Sequence, residues 1–208
     1  MDDILRKLFD SHARVKIMRL FLLNPETVFE SSEVRLKSRI SSRTAISELA
    51  RLRLIGFIKK KNEYREVSYK KEGKIITKKK RINGLILDES FPNRSALQGL
   101  LLSGESFRRE AIASRFIAVG KVKLLIISGV FIQDEDSPVD ILLVGDNIKK
   151  SLLGSTLKVL ESETGKELRY AVFETEDFSY RLGMHDKFVR DIINSPHEKL
   201  IDKIGISV

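Results

Sequence analysis

The residues best suited to chemistry in this sequence are acidic and lie between two short apolar segments. The first segment, Val122–Ser128, runs into Gly129, and the second, Val139–Val144, contains Asp140; both have the length and composition of buried strands. The loop between them holds Asp134, Glu135 and Asp136. Carboxylates can bind a divalent cation, but an acidic loop is more often solvated. We therefore expect these three side chains at the surface, with no metal.

Other reactive side chains are few. The absence of cysteine excludes a thiol nucleophile, disulfides and cysteine-ligated zinc. His12, His185 and His197 lack metal-ligand spacing, and we expect them at the surface or at helix ends. No apolar run approaches the roughly eighteen residues that span a bilayer, and the first ten residues lack the apolar stretch of a signal peptide. The expected location is the cytoplasm, with no membrane partner.

The elements around the acidic segment alternate between helix and strand. The apolar pattern predicts helices at Arg94–Leu102, Ser106–Ala118, Asn147–Leu160, Glu176–Leu182 and Asp186–Ile193, and a third strand at Glu167–Phe173. Strands alternating with helices favour an α/β domain whose small mixed sheet is covered on at least one face.

Residues Leu124 to Val144 resemble the core motif of small nucleotidyltransferase domains, and the likeness extends over roughly residues 121–200. In that family a strand ends in Gly-Ser, a loop follows, and Ser-Asp-x-Asp opens the next strand. The resemblance implies that the two aspartates would hold Mg²⁺, that the metal would organise a triphosphate, and that a third carboxylate on a neighbouring strand would activate the acceptor.

This chain departs from the family's catalytic pattern at three places. Asp140 matches the second aspartate, but Pro138 stands where the first should be, and proline cannot bind a metal. The Gly-Ser pair appears in reversed order as Ser128-Gly129, and the third strand offers Arg169 and Tyr170 in place of a carboxylate. We therefore expect no catalytic residue, no metal and no cofactor, and we expect Asp140 to hydrogen-bond the loop backbone.

Positive charge is concentrated in the first part of the chain. Residues 1–90 contain 22 Lys and Arg against 12 Asp and Glu, whereas residues 91–208 contain 16 against 17. Lysines that only kept a protein soluble would be scattered, so this asymmetry indicates a module that binds a polyanion, nucleic acid being the usual one. The polar segment Asp88–Asn93 is the predicted boundary between domains 1–88 and 93–208.

The basic part is predicted to form three helices and a β-hairpin. The helices are Val15–Leu23, Ser31–Lys37 and Ser42–Leu54, and the hairpin covers Phe57–Leu87, with turns expected at Glu72-Gly73 and Asn83-Gly84.

The third helix has two distinct sides. Ser41 is a favourable N-cap, Ile40 is expected to anchor the preceding turn, and Ala45, Ile46, Leu49 and Leu52 are expected to pack against the first helix. The opposite side carries Arg43, Ser47 and Arg51, which recur every four residues, with Thr44 beside them. Apolar residues that hold a helix in place and polar residues that reach base edges are what a reading helix in the major groove needs.

The hairpin is rich in cations. Those expected to contact DNA phosphates are Lys59, Lys60, Lys61, Arg65, Lys70, Lys71 and Lys74. Tyr64 and Tyr69 lie among them and are expected to pack on the hairpin, because a helix-and-hairpin reader binds duplex and has no unpaired bases to stack.

Residues 11–58 resemble the winged-helix transcriptional regulators of prokaryotes, most specifically in the stretch Ile40-Ser-Ser-Arg-Thr-Ala-Ile-Ser-Glu-Leu-Ala-Arg-Leu-Arg-Leu-Ile-Gly-Phe-Ile58. The expected fold class is α+β, an N-terminal winged helix-turn-helix followed by a nucleotidyltransferase-like α/β domain. The resemblance implies a transcriptional regulator that binds double-stranded DNA, and it implies that the DNA-facing positions are Ser42, Arg43, Thr44, Ser47 and Arg51. A homodimer is expected, since one helix and one wing read few base pairs.

Two questions stay open at the level of sequence. The second domain could assemble copies of the protein, or it could bind a small-molecule or nucleotide effector that alters DNA affinity. The alternative functions are an active nucleotidyltransferase directed to its target by the basic domain, and an antitoxin-like partner of a toxin.

Overall fold

A computed structural model describes the backbone of residues 2–71, 74–102 and 107–206. Over these residues the protein is a mixed α+β structure with nine α-helices and two small sheets. The elements up to the predicted boundary are α1 (Asp2–Leu8), α2 (His12–Leu23), α3 (Ser31–Ser38), α4 (Ser42–Leu54), β1 (Ile58–Lys71) and β2 (Lys74–Leu87). The predicted helices of this part are confirmed, and α4 has the predicted bounds; α1 was not predicted.

The elements that follow are α5 (Arg94–Leu102), α6 (Arg109–Ile117), β3 (Lys121–Ile127), β4 (Ile141–Asp146), α7 (Lys150–Thr164), β5 (Tyr170–Phe173), α8 (Thr175–Gly183), α9 (Lys187–Asn194) and β6 (Glu198–Asp202). The sequence pattern predicted all of them except β6. The predicted helix start at Ser106 lies outside the described residues.

The second sheet has the strand order β5-β4-β3-β6, with β4 and β5 parallel and the other neighbours antiparallel. Because side chains alternate along a strand, β3 sends Leu125 and Ile127 to the face covered by α6 and α7, and Leu124 and Ile126 to the face covered by α8 and α9. The sheet is therefore mixed, as expected, and helices cover both of its faces.

The first sheet consists of β1 and β2, which pair antiparallel along their whole length. Asn83-Gly84 was predicted as a turn, and that prediction is wrong: Gly84 lies inside β2 opposite Lys61. A Cβ on Gly84 would lie 2.9 Å from the carbonyl oxygen of Phe29, which pairs with Leu85 in an isolated bridge. Glycine is therefore required here for close approach of a third backbone segment, not for a turn.

The two parts of the chain share packing. Leu101 and Leu102 of α5 are buried in the same apolar cluster as α2, although α5 follows the predicted boundary. The guanidinium of Arg19, a buried residue of α2, donates to the carbonyl oxygens of Leu101 (2.9 Å) and of Glu163 in α7 (3.0 Å). Helix α2 therefore packs against α5 and α7, which follow the boundary, as well as against α3 and α4, which precede it. None of the described helices is long and apolar enough to cross a membrane.

Candidate nucleic-acid interface

Helix α4 is held by its first turn and by one buried side. The Ser41 hydroxyl accepts a hydrogen bond from the Thr44 N–H (3.1 Å), as expected of an N-cap. Ala45, Leu49 and Leu52 are buried, and Leu49 and Leu52 belong to the core cluster that contains α2. Local sequence therefore starts the helix, and its apolar side fixes its orientation.

A buried ion pair further ties α4 to α2. The carboxylate of Glu48 is almost completely buried and accepts from Arg14 Nε at 2.8 Å. A second nitrogen of the same guanidinium donates to the carbonyl oxygen of Phe9 (2.8 Å). A buried carboxylate is tolerated only when its charge and hydrogen bonds are satisfied, so this pair requires the observed approach of the two helices.

The opposite side of α4 is open to solvent. Ser42, Arg43, Ser47 and Arg51 are exposed, whereas Thr44 is half-buried and its hydroxyl lies 2.8 Å from that of Ser41. Thr44 therefore belongs to the helix cap at the edge of this surface.

Ile46 does not pack against the first helix, and that prediction is wrong. It is 66% exposed and lies next to Ser47 on the solvent side, while Glu48 is buried beside Leu49. The apolar pattern alone favoured Ile46 over a glutamate. Arg14, a residue 34 positions earlier in the chain, makes Glu48 the buried residue. The exposed surface therefore has an apolar component that the sequence pattern missed.

The hairpin is buried at its base and exposed beyond it. Ile58, Leu85 and Leu87 join the core cluster with α2, and fourteen residues per strand give a ribbon about 45 Å long. Its exposed cations are Lys59, Lys60, Lys61, Lys78, Lys79, Lys80 and Arg81. Four of these are consecutive in β2, so each face of the ribbon carries two of them.

Two of the predicted phosphate contacts have carboxylate partners. Arg65 donates to Glu33 at 2.7 Å, to Glu63 at 3.0 Å and to the carbonyl oxygen of Val28 at 2.6 Å. Burial lowers the pKa of Arg65, but the hydrogen bonds to Glu63 and Glu33 outweigh this effect and the pKa is raised. Lys59 lies 3.0 Å from Asp88. Arg65 therefore fastens the hairpin to α3.

The outer end of the hairpin contains the remaining predictions. Lys70, Lys71 and Lys74 lie in the paired strands, but their side chains, like that of Tyr69, are outside the described part of the structure. The predicted turn Glu72-Gly73 is also outside the described residues. Tyr64 is 72% exposed, so the expectation that it packs on the hairpin is wrong.

Ser128, Gly129 and Asp140 lie together at one edge of the second sheet, directly after β3 and directly before β4. Asp140 is completely buried, and its carboxylate accepts from the backbone N–H groups of Val130 (2.9 Å) and Arg169 (2.8 Å). The Arg169 guanidinium contacts the same carboxylate at 3.3 Å. Gly129 has φ +55°, and a Cβ there would lie 2.0 Å from an Asp140 oxygen.

These contacts account for the glycine at position 129. The Asp140 carboxylate occupies the space that a side chain at Gly129 would need, and the Ser128 hydroxyl instead donates to the carbonyl oxygen of Val139. Asp140 Oδ1 accepts from Val130 in the loop and from the Arg169 guanidinium, and Oδ2 accepts from the backbone and side chain of Arg169, so the carboxylate binds protein donors as expected of a structural residue.

The remaining titratable residues are dispersed. Glu135 and Asp136 are exposed, and Asp134 accepts from the Asp136 N–H (3.2 Å). Among the described residues, no group of three or more His, Asp or Glu side chains is arranged to hold a metal ion. His12 begins α2, His185 is exposed, and His197 is half-buried before β6.

Comparisons of the chain with models of known protein families, with curated proteins and with solved structures found no match.

Proposed function

We propose that this protein is a cytoplasmic, sequence-specific transcriptional regulator that binds double-stranded DNA through a winged helix-turn-helix. Helix α4 is the reading helix and the β1–β2 hairpin is the wing. The observation that carries this proposal is the division of α4 into a buried side, fixed to α2, and an exposed side with two arginines, Arg43 and Arg51.

The exposed side of α4 has the chemistry that base edges require. Arg43 and Arg51 can donate two hydrogen bonds each to guanine, and Ser47 can donate or accept. Ile46 offers an apolar contact for the methyl group of thymine. Side chains distinguish bases only when the helix that carries them has a fixed orientation, and the Arg14–Glu48 ion pair helps to fix the orientation of α4 on α2.

The wing supplies the sequence-independent part of the affinity. Lys78, Lys79, Lys80 and Arg81 are consecutive and exposed in β2, and Lys80 Nζ lies 3.8 Å from a carboxylate oxygen of Glu30. Phosphate groups would relieve the repulsion among these cations. The exposed Lys60 and Lys61 lie in the partner strand. We propose these as the phosphate contacts, and we assign Arg65 to the attachment of the wing because three protein acceptors already bind it.

The second sheet and its helices form, in this proposal, a nucleotidyltransferase-like domain without catalytic activity. Asp140 supports this part of the proposal, because its carboxylate already accepts hydrogen bonds from the backbone N–H groups of Val130 and Arg169 and forms an ion pair with the Arg169 guanidinium. Incubation of the protein with Mg²⁺, radiolabelled ATP and candidate acceptors should give no labelled product. Label transfer that is lost on Asp140→Asn would contradict this part.

Selection of binding sites from random duplexes at near-physiological salt tests the main proposal. We expect a recovered motif, and an inverted repeat with half-sites about ten base pairs apart would also support a homodimer. Retention of duplexes without any motif would show that the basic part only anchors the chain on nucleic acid.

Single substitutions then separate reading from anchoring. Arg43→Ala or Arg51→Ala should weaken binding to the selected site by about 1–3 kcal/mol and relax preference at one position. Lys60→Ala or Lys79→Ala should weaken binding to every sequence alike and reduce the salt slope by about one. Arg190→Ala, an exposed arginine of α9, is the matched control. Equal effects of both classes on all sequences would refute α4 as the reading helix.

A further inference from the structure

A cavity of about 830 Å³ lies between the two parts of the chain. One side is formed by α2 and α3 with the segment that joins them, and the other side by α7 and the residues that follow it. It is separate from the Ser128, Gly129 and Asp140 motif, none of which lines it. Its volume falls within the range of about 300–1,000 Å³ that is typical of small-molecule sites.

The carboxylates that line the cavity already have partners. Glu33 accepts from Arg65 at 2.7 Å, and Glu167 accepts from Lys37 at 2.7 Å. All four of these residues line the cavity. The hydrogen bond from Lys37 lowers the pKa of Glu167. The carboxylate of Glu161 accepts from the Leu168 N–H at 3.2 Å.

Three further cations line the same cavity without a carboxylate partner. Within the described part of the chain, no ion pair involves Arg39, Lys158 or Lys166. Lys166 is half-buried, whereas Arg39 and Lys158 are exposed. The lining as a whole holds five cations (Lys37, Arg39, Arg65, Lys158 and Lys166) against three carboxylates (Glu33, Glu161 and Glu167), a net charge of +2, so the potential of the cavity is positive.

The floor of the cavity is apolar. Leu20 and Phe29 are buried, and Leu36, which is 63% exposed, presents its side chain at the same cavity. A large apolar side chain on the outside of α3 costs free energy in water, and a ligand that covers it recovers part of that cost.

We propose that this cavity binds a small amphipathic anion. Its carboxylate or phosphate group would lie among Arg39, Lys158 and Lys166, and its apolar body would cover the exposed Leu36, against the floor that the buried Leu20 and Phe29 form. The apolar floor and the unpaired cations select against a neutral polar molecule and against a cation, because each would leave either the surface or the charge uncompensated.

The position of the site also suggests what a ligand would do. Arg39 has a left-handed conformation (φ 52°) in the turn between α3 and α4, whereas Lys158 belongs to α7. A ligand that contacts both sides favours the arrangement in which α3 and α7 are docked, and it changes DNA affinity if α4 binds DNA best in that arrangement. This second effect rests on the proposed function, whereas binding of the anion does not.

Isothermal titration calorimetry of the full chain, without DNA, tests the site with decanoate as the probe. We expect decanoate to bind, and decyltrimethylammonium and inorganic phosphate to bind at least tenfold more weakly. Lys158→Glu should weaken decanoate binding at least tenfold, and Leu36→Gln at least threefold. Lys150→Glu makes the same charge change on the same helix outside the cavity, and it should alter the affinity less than twofold.

Several results would overturn the proposal. Equal decanoate binding by the Lys158→Glu variant and the Lys150→Glu control would place the probe elsewhere, and binding of the cationic probe as tightly as decanoate would exclude charge selection. Circular dichroism checks that both variants fold. DNA affinity is then measured separately, with and without saturating decanoate. If the protein binds decanoate but no DNA, only the proposed function is disproved.

Discussion

Gly165, which ends α7, is the position at which one methyl group should disturb the docking of the two parts of the chain most. Its φ is +85°, and an added Cβ would lie 2.5 Å from the backbone nitrogen of Leu20 and 2.7 Å from the carbonyl carbon of Arg19. Both atoms belong to the backbone of α2, so no side-chain rotation can relieve the contact. Gly165→Ala therefore forces α2 and α7 apart.

The magnitude of this effect follows from two contributions. An alanine in the left-handed region costs about 1–2 kcal/mol. Forcing extra volume into a packed interface typically costs about 1–3 kcal/mol more. The lower entropy of the unfolded alanine chain offsets roughly 0.5–1 kcal/mol. The expected loss in free energy of unfolding is about 1–4 kcal/mol. Separation of the helices also weakens the hydrogen bond from the Asn24 side chain to the Gly165 carbonyl oxygen, now 2.8 Å.

A second glycine of α7 provides the control. Gly154 lies within the helix, and a Cβ there meets nothing within 4 Å. Gly154→Ala should therefore stabilise the protein by about 0.5–1 kcal/mol through helix propensity alone.

Urea unfolding followed by circular dichroism, together with the melting temperature, measures both variants. At about 2–4 °C per kcal/mol for a chain of this size, Gly165→Ala should melt several degrees below the wild type, and Gly154→Ala slightly above it. If Gly165→Ala is as stable as the wild type, α2 and α7 are not packed as described, and the cavity between them loses its basis.

Two further predictions concern single carboxylates. Asp140→Asn places an amide against the N–H groups of Val130 and Arg169 and should lower the free energy of unfolding, measured in urea, by about 1–3 kcal/mol. The control Asp136→Asn, in the exposed loop, should change it by less than about 0.5 kcal/mol. Equal effects of the two substitutions would contradict the buried hydrogen bonds of Asp140. The hydrogen bond from Arg109 lowers the pKa of Glu198, so its stabilising contribution is present above the ordinary glutamate pKa and is lost as pH falls through the lowered value. An NMR titration of Arg109→Gln should return this pKa towards its ordinary value, and an unchanged pKa would exclude the pair.

Features set by neighbouring residues were predictable. Ser41 caps α4 through a hydrogen bond to a residue three positions away, and the spacing of Ala45, Leu49 and Leu52 is enough to place a helix and its buried side. The concentration of charge in the first ninety residues is also a property of sequence. The bounds of α4 and its solvent-facing arginines were accordingly predicted from the pattern.

Features set by distant residues were not. Gly84 looks like a turn until Phe29 is seen to pair beside it. The partners of Arg65 were also not predicted, because Glu33 and Glu63 are identified only by the packing of the hairpin against α3. Both cases have the same cause, since the surroundings of each residue depend on a group that no local pattern identifies.

Sequence alone thus determined the order and type of most elements, the cap of α4 and the location of the positive charge, because these depend on local propensity, periodicity and composition. Tertiary structure decided that Ile46 faces solvent while Glu48 is buried, which cations are paired, and that Gly165 meets the backbone of α2. The cavity between α3 and α7 also belongs to this second class. Its lining residues come from two distant stretches, Leu20 to Arg65 and Lys158 to Glu167, and only packing of the helices brings them together.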